Sequence, residues 1–227
     1  MATPIYLSES DHARISAAVA QAELLSSGEI VTILADRSDG YTDVALAWSA
    51  LVGFLALAAL AIAPDFYIGI YDRLIADWGH EWTPRELFGL AAGVAAIKFA
   101  AMLLLQLWQP LKFWLVPAPI RTMRVHNRAV RAFRIGAERR TTGRTGILIY
   151  LSMREHRAEI VADEAIASKV EPGVWGDAMN AMLAELKHGR VADGMVAAID
   201  RVGAILALHL PRSDDDVNEL PDRLIEV

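Results

Sequence analysis

The sequence predicts an α/β protein, a small three-layer α/β/α sandwich interrupted by a two-helix transmembrane hairpin. Three observations carry this prediction. Two apolar stretches, one uncharged and one with a single lysine, are each long enough to cross a bilayer. Short runs of β-branched residues lie on both sides of them, among amphipathic helical patterns. The segment joining the two stretches is acidic, whereas the segment after them is strongly basic.

Composition narrows the class. Of 227 residues 54% are apolar, more than a soluble domain of this size usually holds. Setting the two stretches aside leaves about 150–170 residues, enough for one compact core. The net charge of −6 argues against a nucleic-acid partner. With no cysteine, a disulfide framework, a cysteine-ligated zinc and a cysteine nucleophile are excluded. The opening MATPIYLSESDHAR lacks the basic-then-apolar pattern of a signal peptide, so the insertion signal is expected within the chain.

Residues 1–43 supply the first part of the domain. Ser8-Glu9-Ser10-Asp11 opens a helix in the manner of a capping box, with Ile15, Ala18, Val19 and Ala22 along one face. Gly28 closes that region, and Glu29–Leu34 reads as a strand. Residues 44–108 hold the hairpin. Val44–Ala63 has no charge, and Leu87–Trp108 is broken only by Lys98. Tyr67, Tyr71, Trp78, Trp82, Trp108 and Trp114 flank the stretches as an interfacial aromatic belt would.

Pro64–Glu86 reads as a connecting loop with five acids and two arginines; Gln109–Arg144 carries nine basic residues and one acid. Basic flanks stay on the cytoplasmic side, which predicts an inner-membrane protein with both termini in the cytoplasm. Lys98 then sits near mid-membrane, either snorkelling to an interface or making a polar contact in an oligomer. Gly89 and Gly93 form a GxxxG that permits close helix packing and a possible homo-oligomer.

Residues 109–141 begin with prolines and continue as a juxtamembrane amphipathic helix. Arg121, Arg124, Arg128, Arg131 and Arg134 share one arc, and Met123, Val125, Ala129, Val130 and Phe133 face largely the other way. The arginines suit an anion, as a phosphate site or against the lipid bilayer, while the apolar face is free to cover the core. In residues 142–211, Thr145–Leu151 and Ala158–Ala162 form a hairpin across a polar turn. Two helices follow over Glu171–His188 and Val191–Leu208, with Met179, Met182 and Met195 among their apolar positions as core filler. Residues 212–227 form an acidic tail that is expected to be loosely held.

At this point the chain resembles the TPM-domain family. The features shared with that family are the Gly-aliphatic strand Gly146-Ile147-Leu148-Ile149, a turn leading to Arg157, and the strand Glu159-Ile160-Val161. A helix with Trp175 and a last helix bearing Asp193, Gly194 and Ile199 follow. Ser26-Ser27-Gly28-Glu29-Ile30-Val31 is similar to the family's first strand. His209-Leu210-Pro211 and Asn218-Glu219-Leu220-Pro221-Asp222 are similar to its bacterial membrane subgroup. The family includes plant thylakoid proteins linked to photosystem II repair and acid-phosphatase activity, nematode receptor-auxiliary proteins and bacterial membrane proteins. The resemblance implies a three-layer α/β/α domain. The chain departs from the family in carrying its spans inside the domain, and in having Asp163-Glu164 where a Gly-rich stretch is usual.

The chemistry is sparse. No nucleophile elbow, P-loop or Gly-rich dinucleotide turn is present, and the six histidines show no metal-ligand spacing. Acids just beyond strands remain, Asp36 and Asp39 after the first, Asp163 and Glu164 after the hairpin. If they converge on one sheet edge, their oxygens suit Ca²⁺ or Mg²⁺, and such a metal would polarise a phosphate ester. The competing reading makes Asp163 a helix cap and Asp36 and Asp39 turn residues. Two functions follow: a non-enzymatic factor that binds another membrane protein or aids its assembly and quality control, or a membrane-anchored, metal-dependent phosphatase.

Overall fold

The computed structural model describes residues 6–74, 82–136, 145–213 and 218–227. The chain divides into two compact units, Met1–Asp39 with Ala118–Val227, and Gly40–Pro117.

In the first unit, α1 (Glu9–Glu23) starts at a reciprocal cap in which Ser8 and Asp11 each accept from the other's backbone N–H at 3.2 Å. Strand β1 (Glu29–Ala35) pairs in parallel with β2 (Gly146–Ser152), from Glu29 opposite Gly146 to Ala35 opposite Ser152. β2 pairs antiparallel with β3 (Arg157–Ala162), and the turn between them is closed by His156 at a φ of 49°. Both inner strands are buried at every residue, which explains their unbroken aliphatic runs: a sheet covered on both faces needs no polar alternation.

One face carries Ile30, Leu34, Ile147, Ile149 and Leu151. It is covered by α1, α8 (Trp175–Leu186) and α9 (Val191–His209), whose Met182, Met195, Ile199, Val202 and Leu206 are fully buried. Gly203 sets the closeness of α1 to α9, since a Cβ there would lie 2.6 Å from the Ala22 methyl. The opposite face, with Val31, Ile33, Leu148 and Tyr150, is covered by α6 (Ala118–Gly136). Val125, Ala129 and Phe133 recur every four residues along the buried side of that helix. The result is three layers: helices, a four-stranded mixed sheet, and a single helix.

Three local differences from the sequence reading have physical causes. The basic segment is two helices, α5 (Gln109–Leu115) and α6, because Val116 is extended before Pro117. The helix expected from Glu171 opens instead with a 3-10 turn over Pro172–Val174, and a four-residue helix α7 (Glu164–Ala167) precedes it. The tail is held, not loose. Leu220 and Leu224 are buried, and β4 (Ile225–Glu226) joins β1 in parallel to give the order β3-β2-β1-β4. The edge of β1 would otherwise present unpaired backbone groups; Val227 donates to the Leu34 carbonyl at 3.0 Å and accepts from Asp36 N–H at 2.8 Å. Of the acidic run in that tail, 214–217 lie outside the described residues.

The second unit contains α2 (Thr42–Ile62), α3 (Pro64–Leu74), α4 (Pro84–Leu105) and α5. α2 and α4 are each long and apolar enough to cross a membrane. They pack along a seam of small residues, with Ala45, Ser49 and Gly53 of α2 buried and spaced by four. A Cβ on Gly53 would meet the Ala95 carbonyl at 3.5 Å. At the end of the seam the Gln106 amide donates to the Ala45 carbonyl at 3.0 Å and to Ser49 Oγ at 3.3 Å. The GxxxG pair lies elsewhere: the space beside Gly89 and Gly93 is open.

α4 starts three residues before the apolar run because Thr83 and Glu86 form a capping box with Pro84 in the first turn. The segment expected to be a loop holds α3, begun by Pro64. Tyr71 and Asp72 meet Trp82 there, through an edge-on ring contact at 5.1 Å and an indole hydrogen bond at 3.1 Å. Trp78 of the aromatic belt, His80, and Arg139, Arg140 and Arg144 of the basic segment lie outside the described residues. Tyr41, which precedes α2, is fully buried edge-on against Phe113 in the left-handed region at a φ of 51°.

Candidate functional site

The carboxyl ends of parallel strands are where α/β domains most often gather functional groups. Here that edge lies where β1 runs into Asp36 and β2 into its turn. Asp36 accepts from Arg154 Nε at 2.9 and 3.1 Å and from the Tyr6 hydroxyl. The Arg154 N–H also bonds the Asp36 carbonyl at 3.0 Å, which fixes the turn against β1. Burial acting alone would raise the Asp36 carboxyl, but the bonds from Tyr6 and Arg154 overcome it and hold it below the usual carboxylate range. The Tyr6 phenol is pushed up to about 12, first by burial and then by its bond to Asp36. The Arg154 guanidinium is raised by the same carboxylate.

Beside this triad is a buried hydroxyl network. Ser38 Oγ lies 3.1 Å from both the Tyr150 hydroxyl and Ser152 Oγ. The Ser152 hydroxyl donates to Glu155, whose other oxygen accepts the Ser38 N–H at 2.9 Å. Glu155 is 1% exposed and Ser152 wholly buried. Burial raises the Tyr150 phenol, opposed by hydrogen bonds from Ser38 and from Arg128 of α6. Arg124 of the same helix pairs with Asp39 at 3.0 Å. Two arginines of the stripe therefore turn to this edge. Arg121 is half-buried, and Arg131 and Arg134 are exposed.

The four acids singled out from sequence do not meet. β3 runs antiparallel to β2, so Asp163 and Glu164 lie at the opposite end of the sheet, beside Gly146. The seven residues of β1 separate the two ends by about 20 Å. Asp163 caps α7, its Oδ1 accepting the Glu164 N–H at 2.7 Å, and Glu164 is exposed in the first turn. Asp36 and Asp39 share one edge, each engaged by an arginine. Among the described residues no three acid, histidine or cysteine side chains are grouped to hold a metal ion. The arrangement does not fit a Ca²⁺ or Mg²⁺ site.

The opposite end carries a second titratable group. Glu23, at the end of α1, is 8% exposed and accepts the Ile30 N–H at 2.8 Å. Glu29 accepts the N–H groups of Glu219 and Leu220 at 3.3 and 3.2 Å. Asn218 bridges Asp222 at 2.7 Å and Glu23 at 3.4 Å. Glu23, Glu29, Asn218 and Asp222, together with Arg212, line a cavity of about 210 Å³. The Glu23 carboxyl is pushed up to about 8, mainly by burial, with the Glu29 and Asp222 charges adding to it against the Ile30 bond.

A three-layer α/β/α sandwich with its polar network at the carboxyl end of a parallel strand pair defines the class. Residues 120–205 match the family model of the TPM domain. Its fold is similar to that of the BA42 protein from the psychrophilic bacterium Bizionia argentinensis, solved by NMR. The two superpose with a TM-score of 0.56 at 18% identity, over 98% of this chain and 97% of that one. No curated protein matches the chain at a significant level.

Proposed function

We propose that this chain is a membrane-inserted interaction factor, which holds a TPM domain at the cytoplasmic face of the inner membrane to bind other membrane proteins in their assembly or quality control. The observation that carries the reading is the place of the apolar helices. They lie between β1 and α6, so the domain is completed only when the chain returns to the side it left. A span pair returns it; a single span would not. Arg131 and Arg134, exposed on α6, then follow the spans in sequence and are suited to anionic headgroups.

The strand-end acids favour binding over hydrolysis, because Asp36 and Asp39 are each held by an arginine. The alternative, a metal-dependent phosphatase, would need both pairs to open. Purified protein assayed for bound Ca²⁺ or Mg²⁺ and for phosphomonoester hydrolysis decides between them, with Asp36→Ala and Asp39→Ala as controls. The interaction reading expects a metal-free, inactive protein that co-purifies with a reproducible membrane partner in mild detergent. Metal-dependent hydrolysis lost in those variants would replace it with the enzyme.

A further inference from the structure

In the second unit Lys98 makes no ion pair among the described residues. Lys98 is exposed on α4, seven residues from Leu105 and fourteen from Pro84, or about 10 and 21 Å along the axis. Its nearer end is the C-terminal one. Helical side chains tilt toward the N-terminus, so the Lys98 stem carries its ammonium away from the nearer interface and toward the middle of the span. The structure agrees: Lys98 lines, with Val94, Ala56 and Leu60, an apolar cavity of about 420 Å³ whose α2 walls come from the second half of α2. Snorkelling to the nearer interface, which would relieve such a charge, runs against this geometry.

What could neutralise it is limited by depth. Lipid phosphates lie beyond a hydrocarbon core about 30 Å thick, roughly 15 Å from its middle. A second copy of this chain offers no help, since neither Val44–Ile62 nor Leu87–Leu105 contains an aspartate or glutamate. Beyond the Tyr67 and Tyr71 rings of α3, the cavity wall is apolar, with Ala56 and Ala59 small enough to let another helix approach closely. We infer that Lys98 and this groove are a docking site for a partner's transmembrane helix that carries one carboxyl side chain at mid-membrane depth. An intramembrane ion pair of this kind gives selectivity, because a helix without the acid leaves the ammonium in hydrocarbon. The inference rests on the proposed membrane insertion and names the chemistry of the proposed membrane partner.

The test uses the intact chain, donor-labelled and reconstituted in phosphatidylcholine vesicles. The probes are acceptor-labelled synthetic Leu-Ala helices of about 20 residues with Glu, Gln or Leu at the centre. Energy transfer should report association about tenfold tighter for the Glu helix than for the Leu helix. The preference should vanish in Lys98→Leu and survive in Lys98→Arg. Equal association of all three helices, or an acid preference kept in Lys98→Leu, overturns the inference. So does loss of the preference in vesicles containing phosphatidylglycerol, which would assign the ammonium to lipid headgroups. Alkaline extraction separates the two levels. Protein that fails to insert overturns the membrane reading itself, whereas inserted protein without acid preference overturns only the docking site.

Discussion

The two ends of the β-sheet treat carboxylates in opposite ways. At the carboxyl end of β1, Asp36 and Asp39 meet arginines, and Glu155 takes a hydroxyl and a backbone N–H. At the amino end, Glu23 is buried beside Glu29 and Asp222, and its carboxyl is pushed up to about 8. The Asp36 carboxyl is held below the usual carboxylate range, whereas the Glu23 carboxyl is raised well above it. The difference teaches how neighbours set burial against charge: both carboxyls are desolvated, but bonds from Tyr6 and Arg154 overcome burial at Asp36, while the Glu29 and Asp222 charges add to it at Glu23.

The largest break in this contrast should come from Glu155→Ala. It leaves the Ser38 N–H and the Ser152 hydroxyl buried without an acceptor, a loss of about 3 kcal/mol. Denaturation of the intact chain in detergent should show it, and Glu155→Gln should recover much of the loss. Retained stability in Glu155→Ala would mean that the network is not structural.

Acidity sharpens the contrast next. Glu23 has a folded pKa of about 8 against an ordinary 4.5, so the folded state holds its proton more tightly. That contribution is complete below about pH 4.5 and is lost as pH rises through about 8, a change on the order of a few kcal/mol. Asp36 runs the other way. Its depressed pKa gives stability that is present above the ordinary carboxylate range and is lost as pH falls through the depressed value. A stability profile across pH should therefore lose its alkaline fall in Glu23→Gln and its acid fall in Asp36→Asn. Unchanged slopes would reject the assignment.

Smaller effects probe the pieces that hold each end. Leu220→Ala should cost about 2 kcal/mol by opening the core between the sheet and α6, and it should loosen the backbone that Glu29 grips. Hydrogen exchange at Glu219 and Leu220 would report that release. Asp163→Ala should cost about 1 kcal/mol as the loss of a cap, with no effect on the distant Asp36 edge.

Much of the fold was legible because its signals are local. The apolar runs, the aliphatic strands and the four-residue spacing of Val125, Ala129 and Phe133 each follow from neighbours in the chain. The cap role of Asp163 was legible for the same reason. The site was less so, because it depends on register. Ser38 and Ser152 meet only because β1 and β2 pair in parallel with Ala35 opposite Ser152, across more than a hundred residues. Nothing near Glu155 marks it as buried. The antiparallel return of β3, which parts Asp163 from Asp36, was implied by the hairpin already read from the sequence. Separating the acids also needs the parallel pairing of β1 with β2, which the hairpin does not supply. Tail residues 220–227 were hidden by composition: three apolar contacts among charges fix them to an edge that sequence alone does not show to be open.

In the proposed topology the parts of the α/β domain before and after the apolar helices lie on one side of the membrane. Paired reporters test it most directly, alkaline phosphatase and a fluorescent protein fused in turn after Val227 and inserted within 75–81. The account predicts fluorescence without phosphatase activity at Val227, and phosphatase activity without fluorescence in the insertion. Phosphatase activity at Val227, or the same reporter response at both positions, would contradict it.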